Sequence, residues 1–205
     1  MSTLTLHASP TSPYARKVRA LILETGQSDD IRESAASGTP LDPGTAPLAL
    51  NPLGKIPVLE RPGAGALYDS RVICRFLDDR ARAGLYPAPP RLWDTLTLEA
   101  TADGIMDAAL LMVYEGRLRP EAHHFAPFVD GQWSKIGRAL DTLEARWGAY
   151  LAGPLCIGQI ALGCALGYLD FRHGARDWRQ GRDGLARWEA VIAARPAMME
   201  TRPPA

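Results

Sequence analysis

The chain has 205 residues, 46% hydrophobic and 22% charged, enough to bury a sizeable core and to form two small domains. Lys+Arg and Asp+Glu number 23 each, so the net charge points to neither nucleic acid nor an anionic membrane as partner. Three cysteines, Cys74, Cys156 and Cys164, are far apart and odd in number, which fits neither a disulfide framework nor a zinc site and suits a reducing cytoplasm.

The opening "MSTLTLHASP" has neither a charged leader nor an apolar core, so no signal peptide is expected there. Within it, "TLTLHA" (3–8) alternates as a strand does. In "SPTSPYARKVRALILETG" (9–26), Ser12 is a favoured N-cap, Pro13 suits the first helical position, and Gly26 can stop the helix. Val18, Leu21, Ile22 and Thr25 supply one stripe at helical spacing, predicting a helix over 13–25. Residues 26–50 show only a weak strand near Ile31. "KIPVLE" (55–60) and "GALY" (65–68) read as two strands joined by a turn, and "SRVICRFLDDRA" (70–81) has helical periodicity. The order β-α-β-β-β-α predicts helices covering a small mixed sheet.

"AGLYPAPPR" (83–91) is a proline-rich break and marks the domain boundary. Beyond it, helices are expected near 92–118, 125–151, 156–173 and 182–194. The run "LCIGQIALGCALGYL" (155–169) is too short to span a bilayer and carries Gln159, so it reads as a buried helix. His123 and His124 are adjacent and would diverge on a helix, which argues against a metal pair; no metal site is expected. The expected architecture is α/β followed by all-α.

Three features carry candidate chemistry. Ser12 sits where free amides and a helix dipole favour an anion, although taken alone it is better explained as a purely structural cap. Pro57 enters a strand, so it marks either an ordinary edge or a cis peptide bond at a bend; the bend would free the amide and carbonyl of Val58 for an extended ligand. Asp69 and Ser70 start another helix, a second N-terminus suited to a carboxylate, with Asp69 able to hold an ammonium group. An anion site, a strand edge and a head-group site together match the three parts of glutathione.

"SPTSPYARKVR", "NPLGKIPVLE" and "LYDSRVICRFLD" resemble, in order and spacing, the glutathione-contact motifs of the soluble, bacterial-type glutathione transferases. "ADGIMDAAL", "IALGCALGYLDFR" and "WEAVIAARPAMMETRPP" are similar to that family's helical domain. The resemblance implies a thioredoxin-like domain over 1–81, a linker over 82–91, an all-helical domain over 92–205, and a cytoplasmic homodimer. It implies conjugation of glutathione, as co-substrate, to a small electrophile in detoxification. Ser12 would stabilise the thiolate, with Thr11 and Ser9 as alternatives. Pro57 would be the cis-proline, Val58 would pair with the cysteinyl unit, Asp69 and Ser70 would hold the γ-glutamyl group, and Lys55 would approach the glycine carboxylate. Met106, Leu110 and Tyr114 share one face of the long helix at i, i+4, i+8 and could line the electrophile pocket, although such a stripe also serves as core. A glutathione-dependent disulfide reductase and a non-catalytic binding module are the alternative functions. Cys156-Ile157-Gly158-Gln159 stands where the family commonly has a Ser/Thr-x-x-Asp capping box, and residues 27–50 match poorly.

Overall fold

Strand β1 (Leu4–Ala8) is the centre of a three-stranded sheet in a computed structural model that describes residues 3–204. It pairs in parallel with β2 (Ile31–Ala35), Leu4 opposite Ile31, and antiparallel with β3 (Val58–Glu60), His7 opposite Val58. The parallel pair is joined by α1 (Pro13–Glu24), the crossover that parallel strands require. The expected strand over 65–68 is reduced to one bridge, in which Leu59 and Leu67 exchange both backbone hydrogen bonds at 2.9 Å. The turn before it is broad and glycine-rich, and the chain begins its next helix three residues after Leu67, leaving no length for a ladder.

α1 begins and ends as its residues require. Ser12 Oγ accepts from the Ala15 amide at 3.2 Å, Pro13 occupies the first helical position, and Gly26 follows at φ +66°. α2 (Ser70–Ala81) is capped by Asp69, and α1 and α2 pack side by side on the sheet. The segment after α2 is anchored: the Asp78 carboxylate accepts the amides of Leu85 and Tyr86 at 2.7 and 3.2 Å.

The rest is helical: α3 (Arg91–Leu118), α4 (Ala126–Arg146), α5 (Gly148–Leu151), α6 (Ile157–His173), α7 (Asp183–Ala193) and α8 (Pro196–Glu200). The single helix expected over 125–151 is interrupted at Trp147, before Gly148, and α8, started by Pro196, was not foreseen. α6 lies against α3 and α1 and is buried for most of its length. A Cβ on Gly158 would stand 2.9 Å from the Thr95 carbonyl of α3, so only glycine permits this approach. Cysteine does not prevent the helix start, because Gln159 Oε1 accepts the Cys156 amide at 2.8 Å and completes the reach-back half of a capping box. Among the described residues no helix is long and apolar enough to cross a membrane.

One ionic cluster joins the α/β part to the helices. Lys17 of α1, 0% exposed, donates to Asp103 at 2.8 Å and to Glu99 at 3.1 Å, both on α3. Burial opposes its charge, but the carboxylates outweigh burial and its pKa is pushed up to about 12. Removing one member of a buried pair strands the other, at a cost of about 3–5 kcal/mol. Lys17→Met is therefore expected to lose about that much stability in urea unfolding. The stranded carboxyls would take up protons, so the deficit should be larger at pH 8 than at pH 5, and adding Asp103→Asn should recover part of it.

His173, at the end of α6, has its ring nitrogen 2.9 Å from the Ala109 carbonyl of α3, and burial holds its pKa below the usual histidine value of 6.5. A depressed histidine favours the fold above its unfolded pKa and withdraws that contribution as pH falls through the folded value. Thermal stability should accordingly decline below about pH 6.5, and His173→Gln, which keeps a donor for Ala109, should flatten that decline.

Candidate functional site

Three segments meet at the C-terminal end of β1. The chain leaves β1 at Ala8 and reaches Ser12 four residues later. β3 runs antiparallel, so its entry at Ile56-Pro57 lies at this same end. Leu67 pairs antiparallel with Leu59, so the chain beyond it, Tyr68-Asp69-Ser70, arrives there as well. The N-termini of α1 and α2 are thus brought together, and each favours negative charge by about 0.3–1 kcal/mol, more where partly buried.

The hydroxyls at the first corner divide their work. Ser9 Oγ and Thr11 Oγ1 bond to each other at 3.1 Å. Ser12 Oγ accepts the Ala15 amide and donates to no group among the described residues, which leaves its proton for a ligand. Tyr14 cannot take that role: its phenol donates to Asp107 on α3, and burial together with that carboxylate pushes its pKa far up.

At the second corner the Ile56–Pro57 peptide is cis. The structure corrects the expectation for Val58. Leu59 directs its amide and carbonyl outward to Leu67, so by alternation those of Val58 face β1, where Val58 stands opposite His7. Its side chain is buried as well. Two positions back, the amide and carbonyl of Ile56 make no hydrogen bond among the described residues, and Ile56 is the residue with a strand edge to offer. Strand alternation does not indicate it, because Ile56 lies before the cis peptide and before β3 begins at Val58. The Lys55 side chain is exposed, and its carbonyl is tethered at 2.9 Å by Asn51 Nδ2.

At the third corner Asp69 Oδ1 accepts the Arg71 amide and Oδ2 pairs with the Arg71 guanidinium, both at 3.0 Å. Burial opposes its charge, yet the Arg71 contacts prevail and hold the carboxyl below the usual range. Arg71 also reaches Asp103 at 3.5 Å, which ties this corner to the Lys17 cluster. Ser70 is 2% exposed.

α3 roofs the site. Asp103, Asp107, Leu110 and Tyr114 are spaced four, three and four, within about 60° of helix arc, and the contacts of Arg71 with Asp103 and Tyr14 with Asp107 show that this arc faces α1 and α2. Leu110 and Tyr114 are half-buried on it. Met106 is not part of the arc: it turns into the core and is 0% exposed, so an i, i+4, i+8 stripe divided between roof and core. All three cysteines are buried, and burial pushes the Cys164 thiol up to about 11 and that of Cys74 well up. Among the described residues no group of three His, Cys, Asp or Glu is placed to hold a metal ion.

Residues 11–80 match the family model for the N-terminal domain of glutathione S-transferase, and residues 126–190 match that for its C-terminal domain. The chain is 34% identical to the GST-like protein YibF of Escherichia coli K12, over 97% of this chain and 98% of that protein. It is 30% identical to glutathione S-transferase 3 of Zea mays, over 98% and 94% of the two chains. A glutathione transferase family member from Pseudomonas fluorescens Pf-5, solved with bound glutathione, superposes with a TM-score of 0.96 at 47% identity, covering 99% of this chain and 100% of that one. A second structure from that strain holds S-(propanoic acid)-glutathione, with a TM-score of 0.92 at 46% identity over 98% and 100% of the two chains.

Proposed function

The chain belongs to the glutathione S-transferase family, and from that premise we propose that it activates the thiol of glutathione for addition to a small electrophile. One observation carries the reading: the Ser12 hydroxyl sits on the α1 N-terminus with its own proton uncommitted. A free thiol has a pKa near 8.5, so only about a few per cent is thiolate at neutral pH. A drop of about two units makes thiolate dominant and corresponds to about 2.7 kcal/mol. One hydroxyl hydrogen bond to charged sulfur plus a helix N-terminus is of that order.

In this reading Ser12 donates to the sulfur, and the amide and carbonyl of Ile56, beside cis-Pro57, pair with the cysteinyl backbone. Ser70 and the α2 N-terminus receive the γ-glutamyl carboxylate, Asp69 its ammonium group, and Lys55 the glycine carboxylate. The electrophile meets the sulfur beneath Leu110 and Tyr114. Residues 1–81 form the glutathione-binding domain and 92–205 the helical domain, joined by 82–91. The thioether bound by the Pseudomonas fluorescens neighbour is the kind of product such an addition makes. Buried cysteines with raised thiols disfavour a disulfide reductase that works through a mixed disulfide on the protein.

Ultraviolet titration of bound glutathione against pH tests this directly. The wild type should show a thiol pKa about two units below 8.5, and Ser12→Ala should return it toward the free value while lowering kcat more than it raises KM. A bound thiol with an unshifted pKa would overturn the reading, as would a Ser12→Ala variant of equal turnover.

We further propose a cytoplasmic homodimer, supported by the apolar side chains of Val72 on α2 and Trp93 on α3, 46% and 62% exposed. Sedimentation equilibrium should give twice the chain mass, shifting toward one chain mass in Trp93→Glu.

A further inference from the structure

Glu99, Asp103 and Asp107 stand at i, i+4 and i+8 of α3 and form one acidic ridge on its surface. α1 meets that ridge with Tyr14 and Lys17, three positions apart. Lys17 donates to Asp103 and Glu99, and the Tyr14 phenol donates to Asp107. Passing from Tyr14 to Lys17 along α1 therefore passes from Asp107 back toward Glu99 along α3, so the two helices run in opposite senses where they touch. A helix bonded at one place can still pivot there; a second directional bond, one turn away, removes that freedom.

The two contacts lie in different settings. Lys17 is fully buried, whereas Asp107 is exposed at the border of the cleft. Water competes for an exposed carboxylate, so a contact there adds little stability beside a buried ionic cluster. Placement is what distinguishes it: Tyr14 follows Ser12 by two residues, and Asp107 precedes Leu110 by three. The contact thus ties the turn that carries Ser12 to the part of α3 that roofs it. Burial and the Asp107 carboxylate push the Tyr14 phenol far up, so it remains a donor well past neutral pH.

We propose that Tyr14 and Asp107 are positioning residues for the transfer step: their hydrogen bond sets the first turn of α1 against α3, so that a sulfur held by Ser12 lies beneath Leu110 and Tyr114. This rests on the reading of Ser12 as the residue that activates the thiol. The contact acts on alignment and not on ionisation, because the phenol proton is committed to Asp107 and is not offered to the sulfur. Alignment is a sensitive quantity: a displacement of about 1 Å between reacting atoms can cost on the order of a hundredfold in rate.

Turnover of glutathione with 1-chloro-2,4-dinitrobenzene, measured beside the pKa of the bound thiol, tests the contact. In that reaction the thiol proton goes to solvent, sulfur bonds to the ring carbon, and chloride leaves with the electron pair of its bond. Bound thiolate in the wild type should react faster than the same concentration of free thiolate. Tyr14→Phe should lower kcat at least about tenfold, while the bound thiol keeps its lowered pKa and KM for glutathione hardly moves. Asp107→Leu should do the same, and the double variant should lose no more than either alone. Asp107→Asn keeps an oxygen to accept from the phenol and should recover most of the loss. Tyr14→Phe, which removes one oxygen atom, decides the matter alone if Asp107→Leu fails to fold. Equal turnover in Tyr14→Phe, additive losses in the double variant, or Asp107→Asn as slow as Asp107→Leu would each overturn the proposal. So would a thiol pKa that rises in Tyr14→Phe, because the contact would then act on ionisation. A wild-type thiol without a shift would defeat the reading of Ser12, and the proposal with it; a shifted thiol no faster than free thiolate would defeat the proposal alone.

Discussion

The buried contact between Lys17 and the carboxylates of Glu99 and Asp103 is the constraint on which the rest of the molecule depends. An ammonium group with no exposure must have its partners within reach, or the chain cannot bury it. The partners lie on α3, so satisfying Lys17 fixes α1 against α3. Two neighbours extend the constraint: Tyr86 donates to Glu99 at 3.1 Å from the segment after α2, and Arg71 reaches Asp103 from α2 itself. One charged cluster thereby sets how the α/β part meets the helices. An apolar contact of equal area would allow sliding; directional bonds to two carboxylates do not.

The site follows from that alignment. Once α1, α2 and α3 are held together, the N-termini of α1 and α2 lie under the arc that runs from Asp103 to Tyr114. Asp103 belongs to both, holding Lys17 inside and meeting Arg71 at the edge of the cleft. Sheet topology does the remaining positioning. β1 ends, β3 begins and the Leu67 segment ends at the same border, because one neighbour is antiparallel to β1 and the next antiparallel to that. Helix caps, which any protein needs at helix starts, then become donors directed at one volume of solvent.

Residues one turn apart on α1 meet different surroundings. Its first turn offers Ser12 to the cleft, while Arg16, one turn later, rests on Gly167 of α6 with its Nε unpartnered. The two basic residues in sequence, Arg16 and Lys17, meet contrasting fates. Lys17 is neutralised by α3, and Arg16 by no described side chain. Adjacent positions on a helix point about 100° apart, which suffices to place one among carboxylates and the other against Gly167.

Local physics was legible in the residues. The cap at Ser12, the helix stop at Gly26 and the cap at Asp69 depend on interactions within a few positions, whereas the break at Trp147 inside the helix expected over 125–151 was not legible. The family resemblance was legible because the motifs that carry it are short and ordered. Three further features were not. Val58 was expected to offer its backbone outward, but which edge a strand residue faces depends on a partner fifty residues away, and Ile56 stays free because it precedes the strand. Met106 shares a helical stripe with Leu110 and Tyr114, but only the docking of α3 decides where core ends and cleft begins. Arg16 carries no sequence mark at all. Chain composition and short-range spacing therefore determined the elements, their order and the chemistry offered at each helix start; tertiary structure alone decided which backbone edges stayed free, which side chains were shared between charges, and which charge was left without a partner, because each depends on contacts between segments distant along the chain.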